Sequence, residues 1–209
     1  MDPFAGALES TDQLAELYPP ATRQAWEKDV ARLDDVVRRL IAASPLVIVS
    51  SADAEGRCDA TPRGGPAGFV SVLDEQHLAI PDATGNRRLD TLTNIIDTGH
   101  VGLLFLIPGR EQTLRVNGRA CVTAAPAVLE RAGAVGKPPK TAIVVAADEV
   151  YAHCPKALVR SALWKPESWP ALDDVPTAAE VMHAHQRDTA ATLADVEAYL
   201  ETSLRERLA

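Results

Sequence analysis

Three arginine-bearing stretches are the parts of this chain whose residue types and spacing could do chemistry. In residues 80–94 an alternating apolar run through Leu78 and Ile80 ends at Pro81, which has no N–H to donate and so stops a strand. A polar turn with Gly85 follows. Arg87 and Arg88 then open a segment with Leu89, Leu92, Ile95 and Ile96 at helical spacing. Cations at a helix start oppose the positive end of its dipole. An anionic ligand would turn that cost into a gain, because orphan backbone N–H groups and guanidinium forks together make a phosphate site. The plainer reading is a solvated helix start whose arginines pair with Asp82 or Asp90.

The second stretch, Pro62-Arg63-Gly64-Gly65, closes a strand with small residues beside an arginine. That composition lets a flat ligand approach the backbone, and it also suits an ordinary tight turn. In the third, residues 112–119, Arg115, Asn117 and Arg119 share one face of a strand while Leu114 and Val116 share the other. Such a row is either a cross-strand ion-pair surface or one wall of an anion groove. Conventional catalytic signatures are missing. The chain has no Gly-x-Gly-x-x-Gly, no phosphate loop ending in Gly-Lys-Ser/Thr and no Gly-x-Ser-x-Gly elbow. His183 and His185 lie two apart on a helix and point to different faces, so no metal site is expected there. His153 and Cys154 adjoin at a strand end, where neighbouring side chains diverge, and read as structural.

Composition narrows the class. The 209 residues are 46% hydrophobic and 24% charged, which suits one domain with terminal helices. Twenty-one basic against 29 acidic residues leave a net charge of −8, the wrong sign for a general nucleic-acid binder. Arg57, Arg63, Arg87, Arg88, Arg110, Arg115 and Arg119 nevertheless crowd the middle of the chain, a distribution that fits a small anionic ligand. Residues 1–10 have neither a basic start nor an apolar core, and no apolar run approaches the ~18 residues of a membrane helix. The cysteines, Cys58, Cys121 and Cys154, are three and far apart, which fits a reducing cytoplasm rather than a disulfide framework.

The elements that must position these arginines follow from periodicity. Residues 1–20 form a weakly patterned arm with a short helix over 11–18. Residues 21–43 read as one long amphipathic helix with Trp26, Val30, Leu33, Val36, Val37, Leu40 and Ile41 on its apolar face. Strands are expected at 46–50, 57–61, 69–73, 77–80, 100–107, 112–123 and 141–151, with a breaker-rich loop over 62–68. Helices are expected at 88–97 and 126–134. Six or seven short strands with hairpin-length gaps make a mainly β chain with flanking helices (α+β), an antiparallel barrel or curved sheet rather than βαβ repeats. The last third is helical: 154–163, 177–187 and 190–208, linked through Pro166, Pro170 and Pro176. The expected organisation is an arm (1–20), a barrel with its leading helix (21–164), and a linker with a helical extension packed on the barrel (165–209).

Taken together, the motifs resemble one family. They are Asp59-Ala-Thr-Pro-Arg63-Gly, Gly68-Phe-Val70, Ile80-Pro-Asp82, Gly85-Asn86-x-Arg88-Leu89-Asp90-Thr91, Gly102-Leu-Leu-Phe-Leu-Ile-Pro-Gly109 and Thr113-Leu-Arg-Val-Asn-Gly-Arg-Ala120. This set is similar to the pyridoxamine 5′-phosphate oxidase-like flavoproteins, more narrowly to a bacterial subgroup of FMN-dependent enzymes. His153-Cys-x-Lys-Ala157 and Arg160-Ser-x-Leu-Trp164 match that subgroup too. The resemblance covers residues 25 to 170.

It implies a split β-barrel homodimer, with FMN at the subunit interface and a hydride moving between flavin N5 and a small organic substrate. By matching motif, one subunit would hold the cofactor through Thr61, Pro62, Arg63 and Gly64, through Ile80, Pro81 and Asp82, and through Asn86, Arg87 and Arg88. The partner subunit would add Leu114, Arg115, Val116, Asn117 and Trp164. Two positions depart from the subgroup, which has Asp where this chain has Gly65 and Asn-Asn-Arg where it has Asn86-Arg87-Arg88. The lysine-rich phosphate motif of true pyridoxamine phosphate oxidases is missing, so that substrate is not implied. Related split-barrel reductases use a deazaflavin instead. A non-catalytic flavin or haem protein, with His100 or His153 as axial ligand, is the remaining alternative.

Overall fold

A computed structural model describes residues 1–83, 85, 87–186 and 190–207. Seven strands form one antiparallel sheet: β1 Leu46–Ala52, β2 Cys58–Gly64, β3 Ser71–Val72, β4 His77–Pro81, β5 His100–Leu106, β6 Thr113–Thr123 and β7 Ala142–His153, in the order β2-β1-β5-β6-β7-β4-β3. Around it lie α1 Thr11–Leu17, α2 Arg23–Glu27, α3 Asp35–Ala43, α4 Asp90–Thr98, α5 Pro126–Ala132, α6 Lys156–Ser161, α7 Ala178–His185 and α8 Leu193–Arg207. The chain is thus mainly β with flanking helices, as its alternating runs require.

Alternation decides which side of each strand is buried. Val47 and Val49 of β1, Val101, Leu103 and Phe105 of β5, and Leu114 and Val116 of β6 all point into one apolar core. Leu33 precedes α3, and Val37 and Ile41 project from it into that core; Leu92 and Ile95 of α4 join it. Each such side chain contributes about 1.5–3 kcal/mol on burial. Helix α4 lies against β1, β2 and β6. Its end is set by Gly99, which takes the left-handed conformation (φ 69) that glycine reaches without a Cβ penalty. Sheet closure is visible in one ion pair. Arg63 on β2 reaches Asp82 just beyond β4, at 2.7 Å, although β2 and β4 stand five places apart in the sheet.

The single helix expected over 21–43 is two helices. Between them Val30 donates its N–H to the Val150 carbonyl (3.0 Å) and Leu33 donates to Glu75 (2.6 Å). The Asp29 carboxylate accepts the Val150 N–H at 2.9 Å. The helical period therefore yields to tertiary partners. Asp34 restarts the helix by accepting the N–H groups of Val36 and Val37, both at 3.0 Å. Trp26, assigned to the apolar face, is 73% exposed.

The loop expected from residue 62 is also corrected, because β2 continues through Gly64. Pro62 is tolerated there since β2 is an edge strand and the missing N–H removes no central ladder bond. Within β6 the register shifts between Asn117 and Gly118. A Cβ on Gly118 would stand 1.9 Å from the Ala146 carbonyl oxygen, so only glycine fits that bulge. In the last third, α7 packs on α8, with Ala179 and Val196 buried. Among the described residues no helix is long and apolar enough to cross a membrane.

Candidate functional site

Strand β2 presents every second side chain to the inside of the curled sheet. Asp59, Thr61 and Arg63 are the half-buried positions, and Cys58, Ala60, Pro62 and Gly64 are exposed. Three polar groups on one strand face need partners, and α4 and β4 supply them. The hydroxyls of Thr61 and Thr91 each donate to Asp59 Oδ2, at 2.8 and 2.7 Å. Thr91 lies on the first turn of α4 and is 3% exposed. The Thr91 hydrogen bond, then that of Thr61, holds the Asp59 carboxyl below its ordinary value against the opposing effect of burial; the Arg88 charge adds to the lowering.

Arg63 spans the gap to Asp82. Their side chains are 17% and 24% exposed, and Nη1 donates to Asp82 Oδ1 at 2.7 Å. The guanidinium presents a fork. Asp82 occupies Nη1, while Nε is buried with no hydrogen-bond partner among the described residues. A buried cationic donor without an acceptor is costly, and an anion's oxygen at that edge would satisfy it. Ile80 and Pro81 bring β4 alongside β7, with their side chains buried, and end the strand beside this pair. Gly64 pairs with Leu46 at the other margin.

Arg88 sits just before α4 and its Nε donates to Asp90 Oδ2 at 2.5 Å. That bond, and the charge of Asp90, raise the Arg88 pKa. The pairing of Arg88 with Asp90 was one of the two alternatives open in the sequence. Among the described residues no side-chain cap is made at Leu89, the residue that opens helix α4, and the first N–H groups of a helix have no partner within it. Arg87 adopts a left-handed backbone (φ 64). The subgroup's asparagine suits that conformation better than arginine does. Asn86 lies outside the described residues. At Gly65, a Cβ would meet Phe69 at 2.8 Å and Val135 at 3.0 Å, so the aspartate of the subgroup has no room here unless Phe69 moves.

The second group of sequence candidates occupies a different face. Leu114 and Val116 are buried in the core with their backbone paired on both sides. Arg115 and Asn117 point outward from the same strand, three places from β2 in the sheet. Arg115 stacks on Tyr151 with Cζ 5.5 Å from the ring centroid, and Lys28 Nζ stands 5.2 Å from the same centroid. Asn117 donates to Glu149 at 2.7 Å, and its Oδ1 is buried without a partner. Nearby His153 is shifted down by burial, then by the Arg115 and Lys28 charges. Trp164 donates its indole N–H to the Arg110 carbonyl at 2.8 Å, tying the chain after α6 to the β5–β6 turn.

One chain therefore carries two polar sets, an inner one on β2, β4 and α4 and an outer one on β6 and β7. Sequence reasoning missed Asp59 and Thr91 as site residues in the first and Lys28 and Tyr151 in the second, and it considered His153 only as a structural residue or a haem ligand. The alternation Asp59-x-Thr61-x-Arg63 was the available signal for the first. Nothing local marks Lys28, whose partner carbonyl at Ala152 is 124 residues away.

The chain has low similarity to several solved structures. HupZ of Group A Streptococcus is 22% identical, with 57% of this chain and 92% of that chain covered and a TM-score of 0.47. General Stress Protein 26 of Bacillus anthracis is 13% identical over 55% of this chain and 88% of that one, TM-score 0.41. The FAD binding protein of Mycobacterium smegmatis is 15% identical over 59% and 97%, TM-score 0.41. None of the curated proteins matches the chain. The pyridoxamine 5′-phosphate oxidase family matches residues 33–154, more than half of the chain and all seven strands, and the protein belongs to that family.

Proposed function

We propose that the protein is an FMN-dependent oxidoreductase acting on a small organic molecule, with the cofactor held between two copies of the chain. The observation that carries this reading is Arg63. It is a half-buried guanidinium fixed on one edge by Asp82, with a buried donor left over on the other. That is the arrangement a phosphate oxygen requires, and the family match supports a flavin phosphate as its source. FMN supplies the redox chemistry when bound, and the protein supplies orientation, charge and dryness. In this reading Asp82 orients the Arg63 fork, Thr61 and the uncapped start of α4 flank the phosphate, and Arg88 adds charge at the mouth. Pro62 and Gly64 keep the β2 edge low beside it, and Ile80 and Pro81 place the turn that carries Asp82.

The outer set on β6 gives the reason for a second copy. Arg115 and Asn117 face away from Arg63, and the partner subunit would bring the outward face of its own Leu114 to Asn117 stretch and Trp164 over the flavin. The buried Asn117 Oδ1 is the acceptor left for the cofactor on that side.

The deciding experiment is an absorbance spectrum of the purified protein, with mass spectrometry of whatever denaturation releases. FMN is expected, absorbing near roughly 450 nm; a band near roughly 420 nm would instead identify a deazaflavin. A colourless, monomeric protein that takes up neither ends the proposal. Arg88→Ala is expected to weaken FMN binding more than about tenfold, read by equilibrium dialysis; unchanged retention removes Arg88 from the phosphate site.

A further inference from the structure

Helix α3 has two apolar faces. Val37 and Ile41 enter the core, but Val36, Leu40 and Ala43, at i, i+4 and i+7, line a groove on the other side. The opposite wall is Ile107 and Ala152, and the cavity measures about 560 Å³. That lies within the ~300–1,000 Å³ of small-molecule sites. Val36 is left 63% exposed by this arrangement, and an apolar side chain so placed gains by being covered.

The polar part of the groove is of one sign. Arg39 and Arg110 line it, with Gln112, and no acidic residue does. Neither arginine makes an ion pair with a described residue. At the Ala152 end a third cation is fixed in place, since Lys28 Nζ donates to the Ala152 carbonyl at 3.1 Å. The wall carrying Arg110 is itself anchored by the Trp164 bond to the Arg110 carbonyl, 2.8 Å. A rigid apolar floor with cations at its rim matches one kind of ligand, an apolar body ending in an anion.

We infer that this groove binds a small amphipathic carboxylate, with the tail on Val36, Leu40, Ala43 and Ile107 and the carboxylate on Arg39 and Arg110. The eight lining residues belong to neither the inner nor the outer polar set, although Lys28 at the groove's end and Trp164 behind Arg110 are shared with the outer one.

The test is calorimetric titration of the purified protein with octanoate, with 1-octanol as the same tail without charge and with acetate as the charge without a tail. Octanoate is expected to bind one site at least about tenfold more tightly than octanol, and acetate not measurably. Arg39→Gln and Arg110→Gln should each weaken octanoate about tenfold and leave octanol unchanged. Ala43→Trp should fill the groove and remove both, with melting temperature and flavin content preserved. Equal affinity for octanoate and octanol, indifference to both glutamine variants, or no binding at all overturns the inference. So does light scattering that shows Ala43→Trp splitting an oligomer, which would make the groove a subunit contact. If Ala43→Trp does not fold, the two exposed arginine variants decide alone.

Discussion

Arg63→Lys separates the two jobs assigned to this side chain. Lysine keeps the positive charge beside Asp82, and the pair is only partly exposed (17% and 24%), so the ion pair survives as a point-charge contact. What lysine lacks is the second edge of the fork, where Nε lies buried without a partner. If a phosphate oxygen accepts from that edge, the variant loses one oriented, charge-assisted hydrogen bond, about 1.5–3 kcal/mol. That converts to a factor of about 10–150 in affinity. Riboflavin carries the same ring without the phosphate, so the ratio of riboflavin to FMN dissociation constants isolates the contact. Fluorescence quenching of each flavin by apoprotein measures both constants. The ratio should fall by that factor in Arg63→Lys while riboflavin binding and the melting temperature stay close to the parent's. A ratio that does not change would refute the assignment of Nε to the phosphate and leave Arg63 as a fastener of the curled sheet.

Other consequences are independent of any ligand. Arg87→Asn relieves a left-handed backbone (φ 64) and should stabilise the protein by about 0.5–1 kcal/mol in urea unfolding. Thr91→Val removes a buried donor to Asp59 and should cost about 1.5 kcal/mol at neutral pH. The sign follows from the depressed Asp59 carboxyl. Its contribution is present above the ordinary value of 3.8 and lost as pH falls through the lower folded value, so the gap between parent and variant should close below pH 3.8. Acid titration followed by circular dichroism reads this, and a gap independent of pH would contradict it. Gly118→Ala places a methyl 1.9 Å from a backbone oxygen and should cost more than about 3 kcal/mol or prevent folding, measured as soluble yield and melting temperature.

Much of this molecule was legible from local pattern. Alternation located the strands, Pro81 marked the end of β4, and Leu92 and Ile95 at helical spacing marked α4. The motifs carried the family. These signals survive because they arise from backbone geometry within a few residues: a period of two for a pleated strand, 3.6 for a helix, a missing donor at proline. The same locality explains the failures. Residues 21–43 have a helical period throughout, yet Val30 and Leu33 bond instead to Val150 and Glu75, and no window of neighbours contains that competition. Pro62 looked like a breaker because its tolerance depends on β2 being an edge strand, a property of the whole sheet.

What the amino-acid sequence by itself determined is the set of elements, the family, and the arginine-bearing stretches worth examining. Tertiary structure alone decided which groups meet. It joined Arg63 to Asp82 and Asp59 to Thr91, and it left Arg115 and Asn117 on a separate face. The physical reason is that a hydrogen bond forms over about 3 Å of space, and only the curl of the sheet brings such distant parts of the chain that close.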